Sequence, residues 1–153
     1  METTLKQRNV LVKDVLNGTY QSIKNVIPLE NKMNKPEKID SFVTIQYGVL
    51  IGITGDITGK LILSGELPMF ASIGYEMYQM NVEGEMLTSF SGELGNMIAG
   101  NLSTNIVEQG YKIDITHPSI IEGNSRISGF KQAIQLPITI ETAGELDVFL
   151  LLD

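Results

Sequence analysis

Ser89-Phe90-Ser91-Gly92-Glu93-Leu94-Gly95-Asn96-Met97-Ile98-Ala99-Gly100-Asn101 reads as the middle of a long amphipathic helix. At about 100° per residue, Met86, Leu87, Phe90, Leu94, Met97, Ile98, Leu102 and Ile106 form one apolar stripe. Ser89, Glu93, Asn96 and Gly100 form a second stripe roughly 120° away by the same geometry. Glu93 and Asn96 are i,i+3 neighbours and nearly eclipsed. A hydroxyl, a carboxylate, a carboxamide and a glycine on one side suit close approach to another molecule. Each helix-interior glycine costs about 0.5–1 kcal/mol against alanine, so Gly92, Gly95 and Gly100 together sacrifice on the order of 2 kcal/mol. A helix tolerates that where another backbone or a partner must come near. Gly92 and Gly95 are expected to receive the sheet or the first helix, and Gly100 to keep the polar stripe open. Glu-x-x-Asn occurs once in the chain, yet such a pair on an exposed face also arises by chance.

Working outward, the helix is expected from about Glu83 to Gln109, with Gly110 as its C-terminal cap. Upstream, Leu5, Val12, Leu16, Tyr20, Ile23 and Ile27 recur at helical spacing, predicting a first long helix over 5–27 that Pro28 ends. The polar stretch Glu30 to Ser41 reads as a loop, with room for a short edge strand. Phe42 to Thr54 and Gly59 to Gly65 read as a hairpin turning at Gly55-Asp56-Ile57-Thr58-Gly59. Pro68 opens a short helix to about Met80, whose Met69, Phe70, Tyr75, Met77, Tyr78 and Met80 suit soft core filling. Beyond Gly110, extended pieces at 112–116 and 119–122 and a turn at Gly123-Asn124-Ser125 lead to strands at 126–141 and 145–152. Residues 53–61 can be laid on 138–146, and each of these hairpins follows a long helix, which suggests a duplicated helix–hairpin unit. The expected fold is α+β: one domain over 1–153, an antiparallel sheet with two long helices packed on it.

Composition narrows the function classes. The chain has 153 residues, enough for one domain with a core, and 42% are hydrophobic, as in globular proteins. There is no cysteine, hence no disulfide framework and no thiolate chemistry. A formal net charge of −7 and scattered lysines argue against nucleic acid and anionic membrane as partners, and the loose group Lys32, Lys35, Lys38 reads as a solvated loop. The polar stretch Met1 to Val10 has no apolar signal core, and no apolar run reaches membrane-spanning length, so a cytoplasmic location is expected.

The wider pattern Ser89, Glu93, Asn96 and then Pro118 resembles the signature of the CheC/CheX/FliY family of chemotaxis phosphatases. The runs Gly92-Glu-Leu-Gly-Asn-Met-Ile-Ala-Gly100 and Asp114-Ile-Thr-His-Pro118 are most similar to its CheX members, and the order of elements fits over essentially the whole chain. The first helix offers Asp14, Asn17 and Gln21 but no Glu-x-x-Asn, so a single site is expected. The resemblance implies hydrolysis of the aspartyl phosphate of a CheY-like response regulator, and a homodimer. It implies that Asn96 orients the attacking water while Glu93 pairs with the regulator's active-site lysine. Ser89 and Gly100 would lie against the partner, and Pro118 would shape the loop. The protein would need no cofactor or metal of its own, because the regulator supplies Mg²⁺. His117, a lone histidine before a proline, reads as a loop or packing residue. Two other readings stay open: a non-catalytic binding or scaffold module of the same fold, as in a flagellar switch, and an unrelated ligand-binding α+β domain.

Overall fold

A computed structural model describes residues 5–153; the polar segment 1–4 lies outside the described residues. The order is α1 (Leu5–Val26), β1 (Asn31–Met33), β2 (Glu37–Ile39), β3 (Val43–Gly55), β4 (Gly59–Ser64), α2 (Leu67–Tyr78), α3 (Glu85–Glu108), β5 (Ile113–Ile115), β6 (Ser119–Ile127), β7 (Gln132–Ile140) and β8 (Gly144–Leu152). The strands form one 8-stranded antiparallel sheet in the order β1-β7-β8-β4-β3-β5, with β2 also on β7 and β6 also on β3. The expected α+β architecture is thus present. No helix among the described residues is long and apolar enough to cross a membrane.

The two long helices pack along each other and bury one side against the sheet. Val15 and Ile23 of α1 join Leu94, Ile98 and Leu102 of α3 and Val49, Ile51 and Leu61 of the sheet in the main core. A smaller cluster, built on Ile45, Ile62, Phe149 and Leu151, occupies the other side of the sheet under Ile39, Ile127 and Phe130. The helix-covered face is dry, whereas the other face is dry only over this cluster and elsewhere presents Asp147. Near its start β3 alternates buried Val43 and Ile45 with exposed Thr44 and Gln46.

The duplication holds in topology more than in register. Inner strands β4 and β8 lie side by side, with Leu61 opposite Leu150, and outer strands β3 and β7 flank them. However, Ile53 pairs with Gly59 while Ile138 pairs with Leu146. The first hairpin leaves 54–58 unpaired and the second only 141–143, so the two turns are not residue-for-residue copies.

Two expectations beyond α3 are corrected. Gly123-Asn124-Ser125 does not end a strand: β6 continues through it as a bulge. Ile45 faces Ser125 and Tyr47 faces Glu122, so Gly123 and Asn124 both oppose Gln46. Gly123 takes the extra residue at φ +85°, a backbone that side chains disfavour. The single strand expected over 126–141 is two, β6 and β7, because 128–131 carry the chain from β6, paired with β3, to β7, paired with β8. The loop expected at Glu30 to Ser41 contains two three-residue edge strands.

Helix α3 ends as its sequence predicts. Gly110 adopts φ +96°, its N–H bonds the Val107 carbonyl at 3.0 Å, and the Tyr111 N–H bonds the Ile106 carbonyl at 3.3 Å. This paired closure satisfies carbonyls that the helix leaves free.

Candidate functional site

Burial fixes the rotation of α3. Leu87, Phe90, Leu94, Ile98, Leu102 and Ile106 are buried, and Gly95 lies against β3. A Cβ on Gly95 would sit 2.7 Å from Val49 Cγ1, so the missing side chain is what lets the helix backbone approach the strand. Ser91 is fully buried; its hydroxyl donates to the Leu87 carbonyl at 2.8 Å and accepts from the Tyr47 hydroxyl at 2.8 Å. With that side locked, Ser89, Glu93 and Asn96 are exposed on the other.

Two expectations about this surface change and a third is narrowed. Met86 and Met97 are not core: they are 50% and 37% exposed. Helical geometry puts them within about 40° of Glu93, nearer the polar stripe than the centre of the buried face. Tyr75, Tyr78 and Met80 are likewise about half exposed, because α2 buries only Met69, Phe70, Ile73 and Gly74. Gly92 meets the sheet, but only at its edge strand β6 and not at the first helix. Its nearest neighbour would be Ile120 Cδ1 at 3.8 Å, beside the polar stripe.

Ser89, Gly92, Glu93 and Asn96 form one wall of a shallow depression of about 450 Å³, with Thr88 at its edge. His117, Pro118 and Ile120 form the other wall. The second wall is held by β3: the Gly52 N–H donates to Thr116 Oγ1 at 2.8 Å, and the Thr116 N–H donates to the Gly52 carbonyl at 3.0 Å. Pairing of β5 and β6 with the same strand that supports α3 therefore brings 116–120 beside the helix. His117, read from sequence as a loop or packing residue, is a wall residue. Its one sequence signal was adjacency to Pro118. Gly100 lies outside the depression and continues the stripe one turn past Asn96; a Cβ there would meet nothing within 4 Å.

Among the described residues, no hydrogen bond or ion pair engages the side chains of Ser89, Glu93 or Asn96. The polar groups of the first helix differ. Asp14 accepts a hydrogen bond from the Tyr111 hydroxyl at 3.0 Å, and Gln21 donates to Asn25 at 3.2 Å. The bond to Asp14, followed by desolvation and the charges of Asp14 and Asp56, raises the Tyr111 pKa above the usual 10.0. A second hollow, about 480 Å³ and lined by Lys6, Leu11, Asp56 and Tyr111, holds none of the motif residues. No cluster of three or more histidine or carboxylate groups that could hold a metal ion occurs among the described residues.

An exposed Glu-x-x-Asn pair facing a loop proline can present a carboxylate and a carboxamide together to another macromolecule. The chain is similar to known proteins in both fold and sequence. The crystallised chemotaxis protein CheX of Desulfovibrio desulfuricans superposes with a TM-score of 0.78 at 19% identity, covering 94% of this chain and 99% of that one. The Borrelia burgdorferi CheX solved as a CheX-CheY-BeF3-Mg²⁺ complex superposes with a TM-score of 0.73 at 21% identity, covering 92% and 96%. The fold is that of the CheC/CheX-like proteins. The curated CheY-P phosphatase CheX of Thermotoga maritima is 32% identical over 146 residues, 92% of this chain and 94% of that protein. A family model described as "Chemotaxis phosphatase CheX" matches residues 47–144. The chain belongs to the CheX family of chemotaxis phosphatases.

Proposed function

We propose that this protein hydrolyses the aspartyl phosphate of a CheY-like response regulator at the Glu93/Asn96 face of α3. The observation that carries the reading is an exposed, unengaged Glu93 and Asn96 on a helix whose opposite side is locked, in a chain of the CheX family. The Thermotoga relative is named a CheY-P phosphatase and the Borrelia neighbour was solved with CheY, which supports the same partner here.

Hydrolysis of an acyl phosphate needs a water held in line and the charge on the phosphoryl oxygens neutralised. Water oxygen forms the new bond to phosphorus, the bond from phosphorus to the aspartyl oxygen breaks, the water's protons stay with the phosphate, and inorganic phosphate leaves the regenerated aspartate carboxylate of the regulator. The Asn96 carboxamide accepts a hydrogen bond from that water through its oxygen and donates through its nitrogen. Glu93 pairs with the regulator's lysine and fixes the docking register; a charged hydrogen bond of this kind contributes about 1.5–3 kcal/mol. Ser89 and Gly100 flank these groups, the first as a polar contact and the second as open space. The regulator's own Mg²⁺ neutralises the phosphoryl group, so the catalyst contributes only positioning groups. Such a partner places the protein in the cytoplasm.

The working unit is a homodimer joined at a sheet edge. The free edge of β6 is nine residues long and carries the half-exposed Ile120, Ile121 and Ile127. The opposite edge carries Lys32, Lys35, Pro36 and Lys38, residues that discourage edge pairing. Light scattering at tens of micromolar tests it, and a monomer would refute it. The activity is tested by following phosphate release from phosphorylated regulator with and without the protein. Binding without faster release would leave a docking module in place of an enzyme.

A further inference from the structure

The surface beside the Glu93/Asn96 stripe is apolar where a purely polar recognition face would be solvated. Tyr75 is 49% exposed, Tyr78 48% and Met86 50%. They lie on two helices that pack together, α2 and α3. Tyr75 and Tyr78 are i,i+3 on α2. The Tyr78 ring packs edge-on against Phe90, with centroids 5.5 Å apart, and Met86 lies one turn before Phe90 on α3. Met86 is also two turns before Glu93 and only about 20° off its line. Half-exposed aromatic and thioether groups thus occupy the end of α2 and the first turn of α3, on the side of α3 that carries the polar stripe. Large exposed apolar groups in one place mark an interaction surface. Exposed ion pairs and carboxamide contacts alone are weak in water, because solvent screens them. An apolar rim that excludes water strengthens the polar contacts at its edge.

We infer that Tyr75, Tyr78 and Met86 form the apolar part of the regulator-docking surface, beside Glu93 and Asn96, and that they supply affinity while the stripe supplies chemistry. This rests on the proposed function for the identity of the occupant, the receiver domain of the regulator. Methionine and tyrosine suit such a contact, since the first adapts its shape and the second offers a rigid ring with a polar tip.

The test compares wild-type protein with the double variant Tyr75→Ser, Met86→Ser, leaving Tyr78 in place because its ring supports Phe90. Binding is measured against a CheY-like regulator loaded with beryllofluoride and Mg²⁺, and turnover against the same regulator phosphorylated by acetyl phosphate. The expected result is a rise in Kd and KM on the order of tenfold with kcat within about twofold. Circular dichroism confirms folding, and the single change Met86→Ser carries the test if the double variant fails to fold. Unchanged Kd and KM overturn the inference while leaving the phosphatase reading intact. Tight wild-type binding without turnover removes the phosphatase reading, and the binding comparison alone then decides the rim. Failure of the wild type to bind any CheY-like regulator of its source organism overturns both. A variant that changes oligomeric state at unchanged regulator affinity assigns the rim to a second copy and also overturns the inference.

Discussion

The hydroxyl of Tyr47 donates a 2.8 Å hydrogen bond to the hydroxyl of Ser91 inside the core, joining the first half of the longest strand to the first half of the motif helix. Ser91 lies two residues before Glu93, so this bond and the approach of Gly95 to Val49 set which way the site faces. The two partners differ in what their loss leaves behind. Tyr47→Phe removes the donor, but the Ser91 hydroxyl keeps the Leu87 carbonyl; a loss of about 1 kcal/mol in urea unfolding is expected. Ser91→Ala strands the buried tyrosine hydroxyl and should lie higher in the range of about 1–3 kcal/mol. The reverse order would show that the bond does not hold the helix.

Glu93 and Asn96 are expected to separate binding from turnover. In the proposed reaction Asn96 acts mainly in the transition state, so Asn96→Ala should nearly abolish phosphate release while leaving affinity for a beryllofluoride-loaded regulator largely intact. Glu93→Ala should chiefly weaken that affinity. Both are exposed, so stability should stay within about 0.5 kcal/mol of wild type. Asn96→Asp puts a carboxylate beside an anionic phosphoryl group and should also lose turnover. A folded Asn96→Ala protein working at the wild-type rate would refute this division of labour.

The glycines of α3 give a paired prediction. Gly95→Ala gains helix propensity of about 0.5–1 kcal/mol but drives a Cβ to 2.7 Å from Val49 Cγ1, and overpacking of about 1–3 kcal/mol wins, so the variant should melt lower. Gly100→Ala meets nothing within 4 Å and should melt higher. If Gly100 keeps the docking face open, the same variant should lose regulator affinity. Calorimetry and the binding assay together read both effects.

Alkaline pH should reveal the Tyr111–Asp14 bond. The raised Tyr111 pKa means the folded state favours the neutral phenol. The stabilisation is therefore fully present below pH 10.0 and is lost as pH rises through the folded-state value. Asp14→Ala removes the bond that is the main cause, and should bring the tyrosinate absorbance transition of Tyr111 down toward 10.0. An unmoved transition would mean that Asp14 is not the source. Because Tyr111 is only partly buried, solvent screens the bond and the accompanying change in melting temperature should be small.

Local physics is what the order of residues encodes without help from distant neighbours. Apolar spacing located α1 and α3 to within a few residues, Gly110 predicted a left-handed helix cap, and the two glycine-closed hairpins announced an antiparallel sheet. Helical angle alone set Ser89, Glu93, Asn96 and Gly100 on one stripe, and the downstream Pro118 gave that stripe its family resemblance. Packing between elements far apart in the chain settled the rest. Met86 and Met97 have core-like chemistry but stand in solvent, because burial is set by which neighbour arrives, and none arrives on that side. Gly123 looks like a turn in isolation and becomes a bulge because β3 continues to pair on both sides of it. His117 joins the motif residues only because β5 and β6 hydrogen-bond to the strand on which α3 rests. Periodicity belongs to one element at a time; a depression made by a helix on one side and a loop on the other belongs to the sheet that holds them both.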